Sequence, residues 1–472
     1  MQDNLTATFW RPELLAKDVP KYLAIARALA SDIHSGRLAP GHQLPPQRTL
    51  ARQLGVDLTT VTRAFNEIRR EGLVEGNTKR GTFVRAATAA RFDAPIPDPS
   101  TLIDLSMNMP PQPADAFLRE AIRDGIGSVL AAPHALLQLH YQDNAGALAD
   151  RAAGTLFLRA RLGTIPLERL IVTSGAQAAL FAVASTLLAP GDVLAAPAVT
   201  YPGLRSVAAR CCVRLAPLAS DADGIIPAAF EELCDNKLPR ALYCVPTLDN
   251  PTTATLPLNR REELIAIARR YNVAIIEDDA YGALPSQVPP PLATLAPERV
   301  WHIATLSKCA TPALRVAYVT APDVAGALQA TAQTRATNMM APPLMTGLAS
   351  TWIREGTLER LTLAIRRENR ARQAIAATAL SAFDYRAHPE GHHLWLNLPE
   401  AWARPDLKAD LSTDTRKAGL SVVGSEAFAV GPAPNALRIS LGAAPSQAAL
   451  TQGLGVLAAI LSGAPRGIPG IV

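Results

Sequence analysis

The first residue that could do chemistry is Lys308, which follows an apolar run at 300–304 that is typical of a β-strand. A lysine amine at the end of a strand can form a Schiff base with a carbonyl compound. Thr305 and Ser307 stand just before the lysine and Arg315 stands seven residues after it. Hydroxyl and guanidinium groups of this kind can hold a phosphate. A lone lysine in a loop is usually surface charge, so this interpretation depends on partners elsewhere in the chain.

Two further strand-like runs end in polar groups that suit the same chemistry. Asp278 follows the run at 273–277, Tyr281 lies three residues later, and Asn250 follows the run at 241–245. A carboxylate can keep a pyridine nitrogen protonated, which makes pyridoxal phosphate (PLP) an electron sink. The tyrosine and the amide could hydrogen-bond the phenolic oxygen of the same ring. Two plainer interpretations stay open, because Asp278 could cap a helix and Asn250 could belong to an ordinary Asn-Pro turn.

A third group of residues could hold the phosphate and the ring. Gly175, Ala176 and Gln177 lie between a strand-like run and a helical stretch, and the free amides at a helix start attract phosphate. Tyr201 follows the next strand-like run and could stack on a flat cofactor. The segment at 175–177 and the residues around Tyr201 could equally be ordinary turns, so the interpretation depends on all of these residues occurring together.

Short apolar runs and helical stretches alternate from about residue 140 onward. This alternation predicts an α/β domain with a mostly parallel sheet. Functional groups in such domains lie at the carboxyl ends of the strands, which is where the residues above fall. We predict strands at 170–173, 193–196, 241–245, 273–277, 300–304 and 317–320, and helices at 176–188 and 262–271.

Composition and charge bound the remaining possibilities. The 472 residues are 49% hydrophobic and 18% charged, which predicts two or three globular domains. No apolar run is long enough to span a bilayer, and the N-terminus lacks a signal pattern, so we expect no membrane partner. Five cysteines without a C-x-x-C pair favour a reduced, cytoplasmic protein with no metal site. Residues 1–90 hold 13 Lys and Arg against 8 Asp and Glu, which accounts for the whole net charge of +5 and suggests a basic module with a polyanionic partner.

That basic module has the pattern of a helix-turn-helix followed by a hairpin. Apolar residues at helical spacing predict a helix at 20–35, a second helix after Pro46, and a third helix that Asp57 can cap. Two β-type runs at 72–75 and 81–84 flank a basic tip. The second helix of a helix-turn-helix enters the DNA major groove. The alternative is a three-helix interaction module that binds no nucleic acid.

Short motifs follow one another along this module: Gly36-Arg37-Leu38, Pro40-Gly41, Leu44-Pro45, Leu54-Gly55-Val56, Thr60-Val61, Glu71-Gly72-Leu73 and Gly81-Thr82-Phe83-Val84. In this order they resemble the winged-helix DNA-binding domain of GntR-type regulators over nearly its full length. The resemblance implies DNA contacts from the second helix, the outward face of the third helix and the hairpin wing. Many relatives carry Arg where this chain has Leu58, so the base readout is expected to differ. The candidate DNA-binding residues are Arg48, Leu58, Thr59, Thr60, Thr62, Arg63, Lys79, Arg80 and Gly81.

Residues 103–460 resemble the fold-type I aminotransferase family through the ordered set of motifs described above. The resemblance implies that Lys308 is the Schiff-base lysine, that Asp278 pairs with the pyridine nitrogen, and that Tyr201 stacks on the ring. Asn250 and Tyr281 would then contact the ring oxygen. Arg438 resembles the arginine that binds a substrate carboxylate, and Tyr141 resembles a tyrosine that reaches the phosphate of a partner subunit. The remaining phosphate-binding residues would be Gly175, Ala176, Gln177, Thr305, Ser307 and Arg315.

The chain departs from that family at three places. Thr305 stands where many relatives have serine. The stretch at 107–111 lacks a glycine that is often found near the substrate, and His392 and His393 occupy a segment that often has two glycines. These residues border the substrate side in the family, so we expect them to affect the choice of ligand more than PLP binding.

A winged helix fused to an aminotransferase-like body resembles the MocR subfamily of GntR regulators. We therefore expect a DNA-binding domain at 1–85, a linker at 86–101, and a PLP-binding domain at 102–472 with a small C-terminal α+β subdomain from about 340. The resemblance implies a homodimer on a two-half-site operator, in which an amino acid or amine displaces Lys308 from PLP and alters DNA affinity. Two alternatives remain: a working aminotransferase with an accessory DNA-binding domain, and a regulator whose effector is PLP itself.

Overall fold

The structure of the protein is a computed structural model that describes residues 10, 20–34, 37–39, 41–70, 73–77, 81–84, 102–112, 117–143, 145–402 and 405–463. The chain divides into two compact units, Met1–Thr101 and Leu102–Val472. The wing-tip residues Lys79 and Arg80 and the linker predicted at 86–101 lie outside the described residues. Within the described ranges no helix is long and apolar enough to cross a membrane.

The described residues of the first unit form three helices and a hairpin, as the sequence predicts. Helices α1 and α3 bury their apolar stripes against each other, with Ile25, Leu29 and Phe65 fully buried. Asp57 accepts a hydrogen bond from the backbone amide of Thr59 at 2.8 Å, which confirms the predicted cap of α3. The elements are α1 (Lys21–His34), α2 (Gln47–Leu54), α3 (Leu58–Arg70), and the antiparallel strands β1 (Val74–Asn77) and β2 (Gly81–Val84).

The second unit alternates strands and helices in the order that its apolar runs predict. Its strands are β3 (Ile103–Asp104), β4 (Leu170–Thr173), β5 (Val193–Pro197), β6 (Arg214–Leu218), β7 (Ser220–Asp221), β8 (Gly224–Ile225), β9 (Ala241–Cys244), β10 (Ala274–Asp278), β11 (Val300–Thr305), β12 (Ala317–Thr320), β13 (Tyr385–Ala387), β14 (His393–Asn397), β15 (Leu420–Ser421), β16 (Val423–Gly424) and β17 (Ala436–Ser440). Its helices are α4 (Leu118–Ala131), α5 (Ala135–Gln138), α6 (Leu148–Leu162), α7 (Ala176–Leu187), α8 (Pro202–Arg210), α9 (Pro227–Lys237), α10 (Leu258–Arg270), α11 (Leu292–Leu295), α12 (Val324–Asn338), α13 (Pro343–Arg354), α14 (Thr357–Ala379), α15 (Pro405–Lys417) and α16 (Gln447–Ser462).

Seven of these strands form the central sheet in the order β4-β12-β11-β10-β9-β5-β6. Neighbours pair in parallel from β11 to β6, and only β12 is antiparallel to both of its neighbours. Strands β9, β10 and β11 have almost continuous apolar sequences because helices cover the sheet on both faces. The mostly parallel sheet that the sequence predicts is confirmed.

Helix α10 begins at Leu258 rather than at residue 262 as predicted. The difference arises from Arg261, which breaks the apolar pattern of the sequence although its side chain is fully buried. Its guanidinium donates hydrogen bonds to the carbonyl oxygens of Leu256 and Pro246 at 2.8 and 2.7 Å. A buried charge satisfied by backbone carbonyls in this way is invisible to hydrophobic periodicity.

A second, antiparallel sheet in the order β13-β14-β17-β16 lies in the small subdomain. Its core includes residues from Ala376 onward and also Leu105 from the start of the unit. Strand β3 pairs in parallel with β15, so that Ile103 lies opposite Leu420. Residues 102–105 therefore belong by packing to the small subdomain, although Ile103 and its pairing partner Leu420 are 317 positions apart in the chain.

Candidate functional site

The candidate site lies where the central strands of the large sheet end. Strands β10 and β11 run in parallel with Asp278 opposite Ile303, so the carboxyl end of β10 lies beside the segment that leads to Lys308. Strand β9 lies on the other side of β10. Crossover connections in parallel sheets bring residues from distant parts of the chain to this edge.

Asp278 is the buried acid of the site. The hydroxyl of Tyr243 donates a hydrogen bond to its Oδ2 at 2.8 Å, and its Oδ1 is buried with no hydrogen-bond partner in the described part of the chain. Burial raises the pKa of Asp278 to about 6, and the bond from Tyr243 opposes that rise. Tyr243 was not predicted as a site residue because it lies within the apolar run of β9, where a tyrosine is expected to be an ordinary core residue.

The neighbouring carboxylate, Asp279, has a different role. Nε and Nη2 of Arg161 donate hydrogen bonds to its Oδ2 at 3.1 and 2.8 Å, and Nη2 also donates to its Oδ1 at 3.0 Å. Nε2 of His302 lies 3.1 Å from the same Oδ2. These partners hold the pKa of Asp279 below its ordinary value although burial opposes them. Asp279, the first residue after β10, is therefore engaged with Arg161 and His302 rather than with the cluster around Asp278.

Lys308 is half-buried within the same cluster. Its Nζ lies 5.8 Å from the ring centroid of Tyr281 and donates a hydrogen bond to the carbonyl oxygen of Asn108 at 2.5 Å. Burial and the charge of Arg438 lower the pKa of Lys308 to about 8, while Asp278 acts in the opposite direction. About a tenth of the amine is therefore neutral at pH 7, and the neutral form is the one that acts as a nucleophile.

Asn108 links two of these groups and was not predicted as a site residue. Its side-chain Nδ2 donates to the hydroxyl of Tyr281 at 2.8 Å, while its carbonyl accepts from Lys308. The only signal in the sequence was the departure from the family pattern at 107–111. The contact joins residues 173 positions apart, which no local pattern reveals.

Arg438 lies on β17 with its guanidinium buried beside the cluster. It donates to Oδ1 of Asn250 at 3.0 Å and to the carbonyl oxygen of Ser106, and it lies 4.8 Å from the ring centroid of Phe428. Burial lowers the pKa of Arg438 from its ordinary value. The structure thus brings Arg438 and Asn250 together, in a position from which a guanidinium could bind a carboxylate.

The residues predicted to bind phosphate lie around the start of α7. Gly175 has φ of +93°, and a Cβ at this position would come within 2.6 Å of Nη2 of Arg315. The hydroxyls of Thr305 and Ser307 are 3.0 Å apart, and that of Thr305 also donates to the carbonyl of Val316 at 3.1 Å. Backbone amides, hydroxyls and a guanidinium therefore converge, as in anion sites at helix starts.

Gln177 and Tyr201 border this region, whereas Tyr141 does not. Gln177 Nε2 donates to the carbonyl of Gly203 at 3.0 Å, and Ala176 is the first residue of α7. Tyr201 is half-buried, and burial followed by the charge of Asp278 raises its pKa. Tyr141 is 85% exposed and lies outside the cluster within this single chain.

His392 and His393 lie beside Tyr281, with ring centroids 5.8 and 5.6 Å away. Burial lowers the pKa of both imidazoles, that of His393 to about 3, so both are neutral at physiological pH. Nδ1 of His392 accepts from Nδ2 of Asn369 at 3.1 Å, which leaves the proton of the neutral ring on Nε2. The two histidines that replace glycines in the sequence therefore form part of the wall around Tyr281.

The candidate DNA-binding residues lie on the first unit. Arg48 and Leu58 line one surface pocket of about 490 Å³ at the turn between α2 and α3. Arg63 is exposed, with its guanidinium 4.5 Å from the ring centroid of Tyr22. The hydroxyl of Thr62 donates to Oε1 of Gln47 at 2.9 Å and is thus engaged within the protein. Thr59 is exposed, Thr60 is half-buried and Gly81 has φ of +105°, while Lys79 and Arg80 lie outside the described residues.

The fold and this site define a class of protein. The family described as aminotransferase class I and II matches residues 100–457, and the chain belongs to that family. Bacterial regulatory proteins of the gntR family match residues 21–84. The resemblance predicted from the sequence, a GntR helix-turn-helix region fused to a fold-type I aminotransferase-like body as in MocR-type regulators, is confirmed.

Particular relatives are similar to this chain over most of its length. The chain is 29% identical over 460 residues, 96% of both chains, to the uncharacterized HTH-type transcriptional regulator YdeF of Bacillus subtilis. It is 28% identical to the probable rhizopine catabolism regulatory protein MocR of Rhizobium meliloti, over 65% of this chain and 66% of that one. The structure of the α-aminoadipate aminotransferase LysN of Thermus thermophilus superposes with a TM-score of 0.69 at 24% identity, over 76% of this chain and 92% of that one.

Proposed function

We propose that the protein is a DNA-binding transcriptional regulator that holds PLP on Lys308 and uses it to detect an amino compound. The observation that carries the proposal is the buried pair of Asp278 and Tyr243 beside a lysine whose pKa is lowered to about 8. The gntR-family region of the same chain, and relatives named as HTH-type transcriptional regulators, support the regulatory part.

The residues present fit PLP. Oδ1 of Asp278 is a buried acceptor without a partner among the described residues, which suits a protonated ring nitrogen. The positive φ of Gly175 and the close approach of Arg315 suit a phosphate. When bound, PLP supplies an aldehyde carbon and an electron sink. We propose that Tyr281 and Asn250 contact the ring oxygen, that Tyr201 stacks on the ring, and that the phosphate is held by Gly175, Ala176, Gln177, Thr305, Ser307 and Arg315.

The protein's own groups then select and orient the amino compound. The guanidinium of Arg438 presents two nitrogens, as a carboxylate requires. Lys308 exchanges its proton near neutral pH because burial and Arg438 lower its pKa. The neutral imidazoles of His392 and His393 add hydrogen-bonding groups but no charge. An amino acid therefore fits the site better than a simple amine.

We propose that residues 1–85 bind operator DNA, that residues 86–101 act as a linker, and that residues 102–472 form the sensing body. Arg63 and Arg48 are exposed basic groups on α3 and α2. A homodimer would present two winged helices to two half-sites. The 85% exposure of Tyr141 is consistent with contact to a partner subunit.

The test is to follow the visible spectrum of the purified protein while PLP and then a panel of amino acids and amines are added. A PLP band that one compound shifts stably, together with a change in affinity for DNA selected from a random pool, supports the proposal. No band after PLP addition removes the assignment of Lys308. No binding of the full-length protein to any duplex removes the regulatory role.

The second candidate function is a working aminotransferase with an accessory DNA-binding domain. It is favoured by one observation: Lys308, Asp278 and Arg438, which transamination needs, lie together in one cluster. Steady turnover with a keto-acid acceptor favours this enzyme. A change in DNA affinity with PLP alone would instead favour PLP as the effector.

A further inference from the structure

Residues 102–111 form a segment, which we call the strap, that begins where the second compact unit begins. Its first half is tied to the small subdomain. The amide of Ile103 donates to the carbonyl of Gly419 at 2.9 Å, and that of Leu105 donates to the carbonyl of Ser421 at 2.8 Å. The amide of Ser440 donates in turn to the carbonyl of Leu105 at 2.8 Å. In the chain, the strap directly follows the proposed linker at 86–101.

The second half of the strap enters the candidate site. The carbonyl of Ser106 accepts from Arg438, and the carbonyl of Asn108 accepts from Nζ of Lys308. The side chain of Asn108 donates to the hydroxyl of Tyr281 at 2.8 Å. Arg438, Lys308 and Tyr281, which we propose bind the cofactor and the amino compound, are thus all hydrogen-bonded to the strap.

The far end of the strap is fixed by close packing. Gly442, just beyond the end of β17, approaches the carbonyl oxygen of Met109 so closely that no Cβ could be accommodated there. Pro110 and Pro111 follow and are buried, and proline fixes φ. Met109 is thus packed closely against Gly442, whereas the backbone of Ile103 is joined to the small subdomain through the two-residue pairing of β3 with β15. We therefore expect a displacement at Ser106 and Asn108 to pass through that short pairing toward Leu102.

We propose that the strap reports occupancy of the site to the linker, and that Asn108 is its positioning residue. The inference rests on the proposed function. A carboxylate that takes both nitrogens of Arg438 competes with the carbonyl of Ser106 for the same guanidinium. Its binding therefore loosens the strap, and the loosening reaches Leu102, where the linker begins. Linkage is reciprocal: an interaction that fixes the strap weakens binding of the carboxylate by the same factor by which the carboxylate loosens the strap.

The test compares two ligands on the full-length protein by hydrogen exchange of peptides that cover 102–111. N-(5′-phosphopyridoxyl)-L-alanine carries a carboxylate, whereas pyridoxamine phosphate lacks it, and neither bonds covalently to Lys308. We expect the strap to exchange at least tenfold faster with the first ligand than with the second, while β13 and β14 exchange alike with both. Equal exchange with both ligands bound overturns the role of the strap alone. If neither ligand binds, the proposed function is overturned and this inference with it.

A pair of variants tests Asn108 itself. Asn108→Ala removes the bond to Tyr281 and should reduce the exchange ratio of the two ligands to less than threefold. Met107→Ala is the matched control, because Met107 is the adjacent strap residue and is 56% exposed; it should keep the tenfold ratio. A role of Asn108 in stability alone would raise exchange equally with both ligands and leave the ratio at ten, which would contradict the assignment.

Discussion

Tyr243 and Asp278, at the ends of adjacent parallel strands, are joined by a 2.8 Å hydrogen bond from the phenol to the carboxylate. The two side chains are almost completely buried. Burial raises the pKa of Asp278 to about 6, and the hydrogen bond from Tyr243 limits the rise. The acid therefore remains ionised at pH 7 in a site that would otherwise favour its neutral form.

Replacement of Tyr243 by Phe should weaken PLP binding at pH 7. Hydrogen bonds to charged groups contribute about 1.5–3 kcal/mol, so the ionised form of Asp278 loses stability and its pKa rises above 6. We expect roughly a tenfold loss of PLP affinity in a fluorescence titration, which corresponds to about 1.4 kcal/mol. The loss should diminish at pH 8, where Asp278 is again ionised.

The matched control is Tyr318→Phe. Tyr318 is equally buried, on β12, and packs against Phe157 at a centroid distance of 5.9 Å. This variant also removes a buried tyrosine hydroxyl from the large sheet, but it leaves the hydrogen bond between Tyr243 and Asp278 intact. Equal losses of PLP affinity in both variants would show that Tyr243 acts through general packing rather than through Asp278.

Asp278→Asn should stabilise the cofactor-free protein at neutral pH. The pKa of Asp278 is raised from 3.8 to about 6 in the folded state by burial, so the unfolded state releases its proton first as pH rises. The stability that the protonated acid provides below pH 3.8 is lost as pH rises through about 6. This difference corresponds to about 3 kcal/mol at pH 7.

Thermal unfolding of wild type and Asp278→Asn, both without PLP, measures this effect. The variant should unfold at a higher temperature at pH 7, and the difference should shrink toward pH 4. PLP should stabilise the wild type more than the variant, because asparagine offers no charge to a pyridinium. A variant that is less stable than wild type at pH 7 would show that burial of the ionised carboxylate does not destabilise the folded protein.

The local sequence was sufficient to predict that residues at the carboxyl ends of strands would lie close together. Asp278 and Lys308 come after apolar runs, and the parallel sheet brings such ends together. Tyr243 and Asn108 could not be predicted, because their partners are 35 and 173 residues away and depend on side-chain packing. The pairing of β3 with β15 was likewise out of reach, since two-residue strands carry no periodicity.

Gly175→Ala should impair phosphate binding. An alanine Cβ would come within 2.6 Å of Nη2 of Arg315 and displace the guanidinium. The backbone at Gly175, with φ of +93° and ψ of 168°, lies in a region that is almost confined to glycine, and an alanine there adds strain of about 1–3 kcal/mol. We expect PLP affinity to fall about tenfold or more, with a smaller effect on pyridoxal, which has no phosphate.

Gly191→Ala separates the collision from the backbone strain. Gly191 has φ of +90°, but a Cβ there meets no atom within 4 Å. Both variants should therefore lose thermal stability through backbone strain, and only Gly175→Ala should lose PLP affinity. Retention of phosphate selectivity in Gly175→Ala would place the phosphate elsewhere.

The rate at which cofactor-free protein captures PLP should depend on pH through Lys308. Burial and Arg438 lower the pKa of its amine to about 8, so about a tenth is neutral at pH 7. Capture should accelerate about tenfold from pH 6 to 7 and level off above about pH 8. Stopped-flow absorbance measures this rate, and Lys308→Ala should show no Schiff-base band at any pH.

Arg63→Ala and Arg48→Ala should weaken binding to a duplex that the protein itself selects from a random pool. Both side chains are exposed, and the guanidinium of Arg63 lies 4.5 Å from the ring centroid of Tyr22 on α1. Loss of one phosphate contact should lower the slope of log affinity against log salt by about 1, whereas loss of a base contact should reduce discrimination between sequences.

Arg27→Ala is the control for these two variants. Arg27 is an exposed arginine of α1 outside the predicted DNA contacts, and its replacement by alanine removes the same charge. PLP capture should be unchanged in all three variants, since all three substitutions lie in the first unit and none is at a residue proposed to bind PLP. If Arg27→Ala weakens binding as much as the other two, net charge rather than the helix-turn-helix face determines affinity; if none of the three does, readout shifts to the wing, where Gly81 lies.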